Sequence, residues 1–510
     1  MAFVLTTTNV AIVSIALLLF HRIGLLLYRF YFHPLSKFPG PKYLSASALS
    51  QFYYQNIKGR FYKDVRDLHE QYGSIVRVAP NELSIDGSIG WNDIFGHKKA
   101  GEQEFEKDVL WYHPLDEGKG IGGSGFQDIV IANRDDHRRQ RRVVSHAFSD
   151  TALIKQEGII KSYVDLLMQR LKEHSTEGKT LDAVKWYNYT TFDIIGDLAF
   201  GDPFNCLESS TMHPWVSMIF DVLKAGTQLR IFGQYPSLKP FISLVMSPKL
   251  QNTIVESTAL TSAKLEKRLA LGPNTERGDF LSYILRHNDE KGLKHPEILG
   301  NSEAFIIAGS ETTATLLSGL TYYLSQYPET WNRLKTEVRE SFESEDEINM
   351  RSTGSLPYLH ACIEEAFRVY PPVPTMPPRT SPGTTVNGVF IPKGTKLWIH
   401  QWSTSRRSCN FLLPDTFIPE RWLPPSHPYY DSRFENDNKA CMKPFSHGAR
   451  NCVGKNLAYS EMRLIMARLA WNFEIETTPE CKSWPEDQKV FTVFQKPPLF
   501  MKLAPSTQAR

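Results

Sequence analysis

The stretch Phe445-Ser446-His447-Gly448-Ala449-Arg450-Asn451-Cys452-Val453-Gly454 decides how the rest of this 510-residue chain is read. It sets one cysteine in a glycine-flanked loop, two residues after an arginine and just ahead of an expected helix over Lys455–Leu469. Burial in apolar surroundings favours a neutral thiol over a thiolate. The neighbours of Cys452 are expected to act the other way. Gly448 permits a tight turn whose amides can point at the sulfur, and Gly454 lets the chain pass close to a flat partner. The helix starting at Lys455 turns its positive end toward the cysteine. Arg450 is a fixed cation suited to a carboxylate, and Phe445 can cover the sulfur from water. The blander reading is a buried structural cysteine beside a turn.

A sulfur held in this way suits an axial ligand to haem iron, where a thiolate pushes electron density onto the metal and favours O–O cleavage. The segment resembles the haem-binding loop of the cytochrome P-450 family, whose pattern is Phe-x-x-Gly-x-Arg-x-Cys-x-Gly. Phe445, Gly448, Arg450, Cys452 and Gly454 match every fixed position, and Ala458 fits the small residue that the family prefers four residues on. The resemblance implies that Arg450 binds a haem propionate.

Length alone would allow about two to four domains, but no serine/glycine tract, long charge block or internal repeat divides the chain. With 41% hydrophobic and 12% aromatic residues, one large core can be buried. A net charge of +3 argues against nucleic acid as a partner. Cys206, Cys362, Cys409, Cys441, Cys452 and Cys481 lack framework spacing, so reduced thiols facing the cytosol are expected.

Val10–Phe20 is almost wholly apolar, and Ile23–Leu27 continues after His21 and Arg22. From Phe3 to Phe20 the stretch nears the roughly 20 residues that a bilayer requires. Arg22, Arg29, Lys37 and Lys42 lie on its C-terminal side, which by the positive-inside rule leaves the body in the cytosol. A cleaved signal peptide is the competing reading. Phe38-Pro39-Gly40-Pro41 makes a stiff turn. The expected organisation is an anchor at 1–30, a proline-rich hinge at 31–45 and a catalytic domain at 46–510.

Pro296–Tyr327 reads as the clearest helix, with Pro328 as its stop. Inside it lies Ala308-Gly309-Ser310-Glu311-Thr312-Thr313. A mid-helix glycine costs about 1 kcal/mol relative to alanine, so something flat is expected to approach the backbone at Gly309. Thr312 can bond back to the Ala308 carbonyl and loosen the ladder. Alternatively, Glu311 and Thr312 are ordinary surface residues. The segment is similar to the family's oxygen-binding helix, which implies that Thr312 steadies dioxygen while Glu311 helps deliver protons.

Glu365 and Arg368 share a face at i, i+3 on a helix ended by Pro371-Pro372, and their apolar neighbours suggest burial. Pro419-Glu420-Arg421-Trp422 offers Arg421 as a further partner. The family joins such segments in a Glu–Arg–Arg cluster, so Glu365, Arg368 and Arg421 are expected to be structural. Ser74–Ala79 and Glu82–Ile85 read as a hairpin, and Val386–Ile399 as strand–turn–strand around Gly388 and Gly394.

Two departures from the family pattern stand out. In Asp136-His137-Arg138-Arg139-Gln140-Arg141, His137 occupies a position where the family often has tryptophan. Imidazole can still donate to a propionate, and Arg141, one turn on, can pair with it. Arg406-Arg407-Ser408-Cys409-Asn410 stands where the family commonly has His-Arg-Asp-Pro. Arg379, after Pro377-Pro378, matches a further propionate-binding arginine. Arg138, Arg139, Arg141 and Arg142 also read as a solvated basic face, which with Lys443 and Lys455 would suit an acidic electron donor.

The resemblance runs through the chain in family order and implies a mainly α cytochrome P-450 fold. Its expected parts are a large helical lobe, a small β-rich lobe and one N-terminal transmembrane helix in the endoplasmic reticulum membrane. It implies haem b on Cys452 and insertion of one oxygen atom from O2 into a hydrophobic small molecule. Electrons would come from NADPH through a separate flavoprotein, NADPH–cytochrome P-450 reductase, with cytochrome b5 as a second candidate donor. Phe32-His33-Pro34-Leu35 and Val143–Ser149 are similar to fungal members that decorate polyketides, terpenoids or alkaloids. Two other readings stay open: the same haem used for desaturation, ring coupling or isomerisation, and a haem-thiolate sensor that is no enzyme. An apolar, aromatic cavity is expected from Tyr112–Phe126, Pro203–Val255, Asn301–Ala308, Val373–Pro378 and a turn near Phe494.

Overall fold

Apolar residues dominate Thr7–Leu27, interrupted by His21 and Arg22, and this segment forms α1. The computed structural model describes residues 7–99, 101–113, 128–273 and 277–506, so the first residues of the expected span lie outside it. With the turn Tyr28–Phe32, α1 makes a 26-residue helix containing an 18-residue window of mean hydropathy 2.3 that is unburied against the rest of the protein. At about 1.5 Å per residue it is long enough to cross a hydrocarbon core of about 30 Å.

The expected hairpin is present as β1 (Ile75–Ala79) and β2 (Glu82–Ile85). They join a five-stranded sheet with β3 (Glu106–Lys107), β4 (Arg379–Thr380) and β5 (Lys396–Trp398), in the order β1-β2-β5-β4-β3. β2 and β5 run parallel, and the other pairs are antiparallel. Lys107 stands directly opposite Arg379. The segment Val386–Ile399 divides differently from expectation. Thr384–Val386 pairs with Val389–Ile391 across Asn387 and Gly388, both at positive φ, while Lys396–Trp398 leaves for the larger sheet. A late pair, β6 (Lys489–Phe491) and β7 (Val493–Gln495), forms its own ladder.

The helical body is built on α2 (Arg134–Val144), α3 (Ala183–Phe200), α4 (Pro214–Gln234), α5 (His295–Gln326), α6 (Pro357–Val369) and α7 (Lys455–Asn472). α5 has Pro296 in its first turn, and the Glu297 carboxylate accepts from the Lys294 amide at 2.8 Å. It is buried along most of its length. A Cβ at Gly309 would stand 2.7 Å from Ile195 Cδ1 on α3. On that side of Gly309 a neighbouring helix therefore packs closely against the backbone. Ala304, Ala308 and Thr312, at i, i+4 and i+8, form an uncovered stripe on this otherwise buried helix.

Candidate active site

Gly448 takes φ 75°, and a Cβ there would collide with the Phe95 carbonyl oxygen, so only glycine fits. This close approach sets the cysteine loop against Trp91–Phe95. The Cys452 amide donates to the Phe445 carbonyl at 2.9 Å. Phe445 packs edge-on against Phe367, ring centres 5.1 Å apart, and lies 5.2 Å from Tyr459. Cys452 has accessible surface, yet its sulfur is deep within the protein mass, so that surface opens inward. Burial pushes its thiol up, while the Gly454 amide, Arg141 and Lys455 pull it down without prevailing. The neighbours thus act against burial, as expected, but do not outweigh it. A bound metal is the charge that deprotonates a coordinating thiol.

Arg379, Arg450 and His137, three of the expected propionate partners, come together beside this loop, and Lys107 joins them. Arg379 is 7% exposed, stacks over Phe95 at 5.1 Å, and has an Nε without a partner. Arg450 donates to the Ala132 carbonyl at 3.0 Å, and Lys107 to the same carbonyl at 2.9 Å. Burial, then Arg450 and Arg379, push Lys107 down to about 6. His137 is buried and driven down to about 3 by desolvation and by Arg450, Lys107, Arg141 and Arg379, which leaves it neutral. Like charges facing each other across a sheet repel, so Lys107 opposite Arg379 is a poor arrangement unless an anion lies between. Two propionates meet that need, and the cluster fits a haem. Lys107 was not singled out in the sequence; only its register with Arg379 gives it meaning.

Arg141 is committed differently from expectation. Its guanidinium donates to the Asn451 carbonyl at 2.6 Å and to Asn451 Oδ1 at 3.0 Å, clamping the residue before Cys452. The basic face is also largely neutralised. Arg138 pairs with Asp135, Arg139 with Asp136 and Glu297, and Arg142 with Asp289.

On α5, Thr312 Oγ1 donates to the Ala308 carbonyl at 2.6 Å, as its type and place predict. Glu311 is no surface residue: it is 1% exposed, accepts from Thr315 at 2.9 Å and is ion-paired with Lys496. Acid and alcohol therefore turn to different partners. The Glu365 cluster assembles as expected. Its carboxylate accepts from Arg368 at 2.7 and 2.8 Å, from Arg421 at 3.2 Å, from Trp422 at 2.9 Å and from the Ile418 amide at 2.7 Å. Asp437 takes the outer face of Arg421. Arg407 pairs with the buried Asp86, and Arg406 with Asp415, so the departing Arg406-Arg407 segment is structural.

Most of the expected cavity segment Tyr112–Phe126 lies outside the described residues. Three of the others border a cavity of about 30 Å³ whose lining includes Thr227, Arg230, Thr375, His400 and Thr492. These polar groups share the lining with Phe61, Tyr62, Trp111, Trp398 and Val490, and Arg230 Nε, Arg230 Nη2 and His400 Nε2 have no partner there.

A helical body with a cation-rimmed cysteine loop, buttressed by a buried Glu–Arg–Arg cluster under a long central helix, defines the haem-thiolate monooxygenase class. The chain belongs to the cytochrome P-450 family, whose model matches residues 39–503. It is 43% identical to cytochrome P-450 monooxygenase astA of Talaromyces wortmannii, over 96% of both chains. It is 41% identical to monooxygenase aclL of Aspergillus oryzae, over 94% of this chain and 95% of that one. It is 40% identical to the trichothecene C-15 hydroxylase of Fusarium sporotrichioides, over 94% of each. The chain is thus a monooxygenase that uses haem on a cysteine thiolate, consumes O2 and requires an electron-transfer partner.

Proposed function

We propose that this protein oxygenates a hydrophobic secondary metabolite, with Cys452 as the axial ligand of haem b and Arg379, Arg450, His137 and Lys107 around the propionates. The Arg379 Nε left without a partner, close to Arg450 and Lys107 beside the cysteine loop, is the observation that supports this most. Bound there, the haem supplies activation of O2, in the net reaction RH + O2 + two electrons + two protons giving ROH + H2O. Arg141 steadies the loop through Asn451, and Gly454 donates to the sulfur. Glu365, Arg368 and Arg421 hold the loop's support in one arrangement. Thr312 offers a hydroxyl on the uncovered stripe of α5, and Glu311 supplies protons beside it.

NADPH–cytochrome P-450 reductase is the proposed electron donor, with cytochrome b5 as an auxiliary. The anchor at 1–30 and hinge at 31–45 hold the domain at 46–510 on the cytosolic face of the endoplasmic reticulum. The likeness to a C-15 hydroxylase favours hydroxylation over desaturation or coupling. The test is the ferrous carbon-monoxide adduct of the purified protein. Wild type should give the red-shifted Soret band of a thiolate ligand, and Cys452→Ala should lose it; a folded, haem-loaded wild type without that band would refute the assignment. Expression with a reductase and candidate scaffolds should then yield products heavier by one oxygen.

A further inference from the structure

Burying a lysine ammonium is costly unless its charge is matched. Lys496, the residue after β7, has a side chain only 2% exposed. Its ammonium is ion-paired with Glu311 Oε1 and donates to Thr315 Oγ1 at 2.7 Å, while Nζ lies 5.8 Å from the ring centre of Phe220 on α4. Thr315 also donates to Glu311 Oε1. Glu311 Oε2 has no partner. The other titratable group facing Glu311 is Tyr370, beyond the end of α6, whose hydroxyl is bonded to Gln488. One carboxylate oxygen is thus fastened and the other idle, while the Thr312 hydroxyl is engaged with Ala308. Of the two groups fastening Oε1, Thr315 belongs to α5 itself, while the ammonium is brought in from elsewhere in the chain. The ammonium comes from the C-terminal strand pair and packs near α4, two segments expected to border the substrate.

We propose that Lys496 is a positioning residue for the proton-delivering acid. It holds Glu311 ionised and turned from Thr312, and the pair must open before Glu311 serves the oxygen site. Proton delivery is therefore restrained until α4 or the β6–β7 segment shifts, which ties it to substrate arrival. This inference rests on the role given to Glu311 above.

The test uses full-length, haem-loaded protein with reductase and NADPH, and no added substrate. Wild type is compared with Lys496→Met, Lys496→Gln and Lys496→Arg. At neutral pH, infrared difference spectra should show a new protonated-carboxyl C=O band in the Met and Gln variants. Adding Glu311→Gln should abolish it, and Lys496→Arg should match wild type. Substrate-free NADPH oxidation should rise at least about threefold in the two neutral variants and stay within about twofold in Lys496→Arg. Failure of the band, or a band without faster oxidation, overturns the proposal. If Lys496→Met does not fold, Lys496→Gln carries both readouts. A wild type without the thiolate Soret band would instead defeat the haem-thiolate reading and leave this pair a structural feature.

Discussion

At the scale of single residues, the two carboxylates of the helical core are set to opposite tasks by their partners. Glu365 is buried, which pushes its carboxyl up, but Arg368, Arg421 and the Ile418 amide outweigh that and hold it below its ordinary value. A depressed folded value contributes stability above the unfolded carboxylate pKa, near 4.3, and that contribution is lost as pH falls through the folded value. Glu365→Gln should therefore cost about 3–5 kcal/mol at pH 7, because the buried Arg368 loses its counter-charge and Arg421 keeps only Asp437. It should also flatten the acid side of the stability profile, as read by urea unfolding at several pH values. Glu311 is pushed up by burial and pulled back by Lys496 and Thr315, with the upward push winning. Thr312→Ala should leave haem content and the carbon-monoxide spectrum intact while diverting reductase electrons to peroxide. Peroxide measured against NADPH consumed checks this, and unchanged coupling would refute the role.

At the scale of elements, the cysteine loop, the Glu-x-x-Arg helix and the bounds of α5 were all legible in the sequence, because each is written in residues close along the chain. Lys107, Lys496 and Ile195 were not, because their meaning depends on partners about 110 to 270 residues away. The β3–β4 pair shows what this hides. Lys107 is driven down to about 6, against about 10.4 in the unfolded chain. Between those values the unfolded state binds a proton that the folded state does not, so the haem-free protein loses stability as pH falls through that window. Its Tm should thus be higher at pH 9 than at pH 7, and Lys107→Met should remove the difference. The same substitution should speed haem loss from the loaded protein, measured by transfer to apomyoglobin, because a propionate partner is gone. Gly309→Ala tests the packing of α5 on α3. The new methyl meets Ile195, so overpacking should cost about 1–3 kcal/mol, and Ile195→Val should recover part of it without any change in haem content.

At the scale of the whole molecule, the question is how an exposed apolar helix is joined to the body that carries the chemistry. The hinge is not a loose tether. The Arg77 amide on β1 donates to the Pro39 carbonyl at 2.7 Å, and its guanidinium, 2% exposed, donates to the Arg29 carbonyl at 2.8 Å and the Pro80 carbonyl at 2.8 Å. Gly40 passes so near the Arg77 carbonyl that a side chain would collide with it. One buried arginine therefore gathers the end of the anchor and the proline turn onto the first strand of the sheet, and two cuts in the chain should behave differently. Removing residues 1–27 takes away only unburied apolar surface, so the product should leave the membrane fraction with its Tm and carbon-monoxide spectrum unchanged. Removing residues 1–41 also takes the Arg29 and Pro39 carbonyls from Arg77. Each buried donor left unpaired costs about 1–3 kcal/mol, so this product should show a lower Tm, measured by thermal unfolding. Equal stability of the two would show that the hinge is merely a linker.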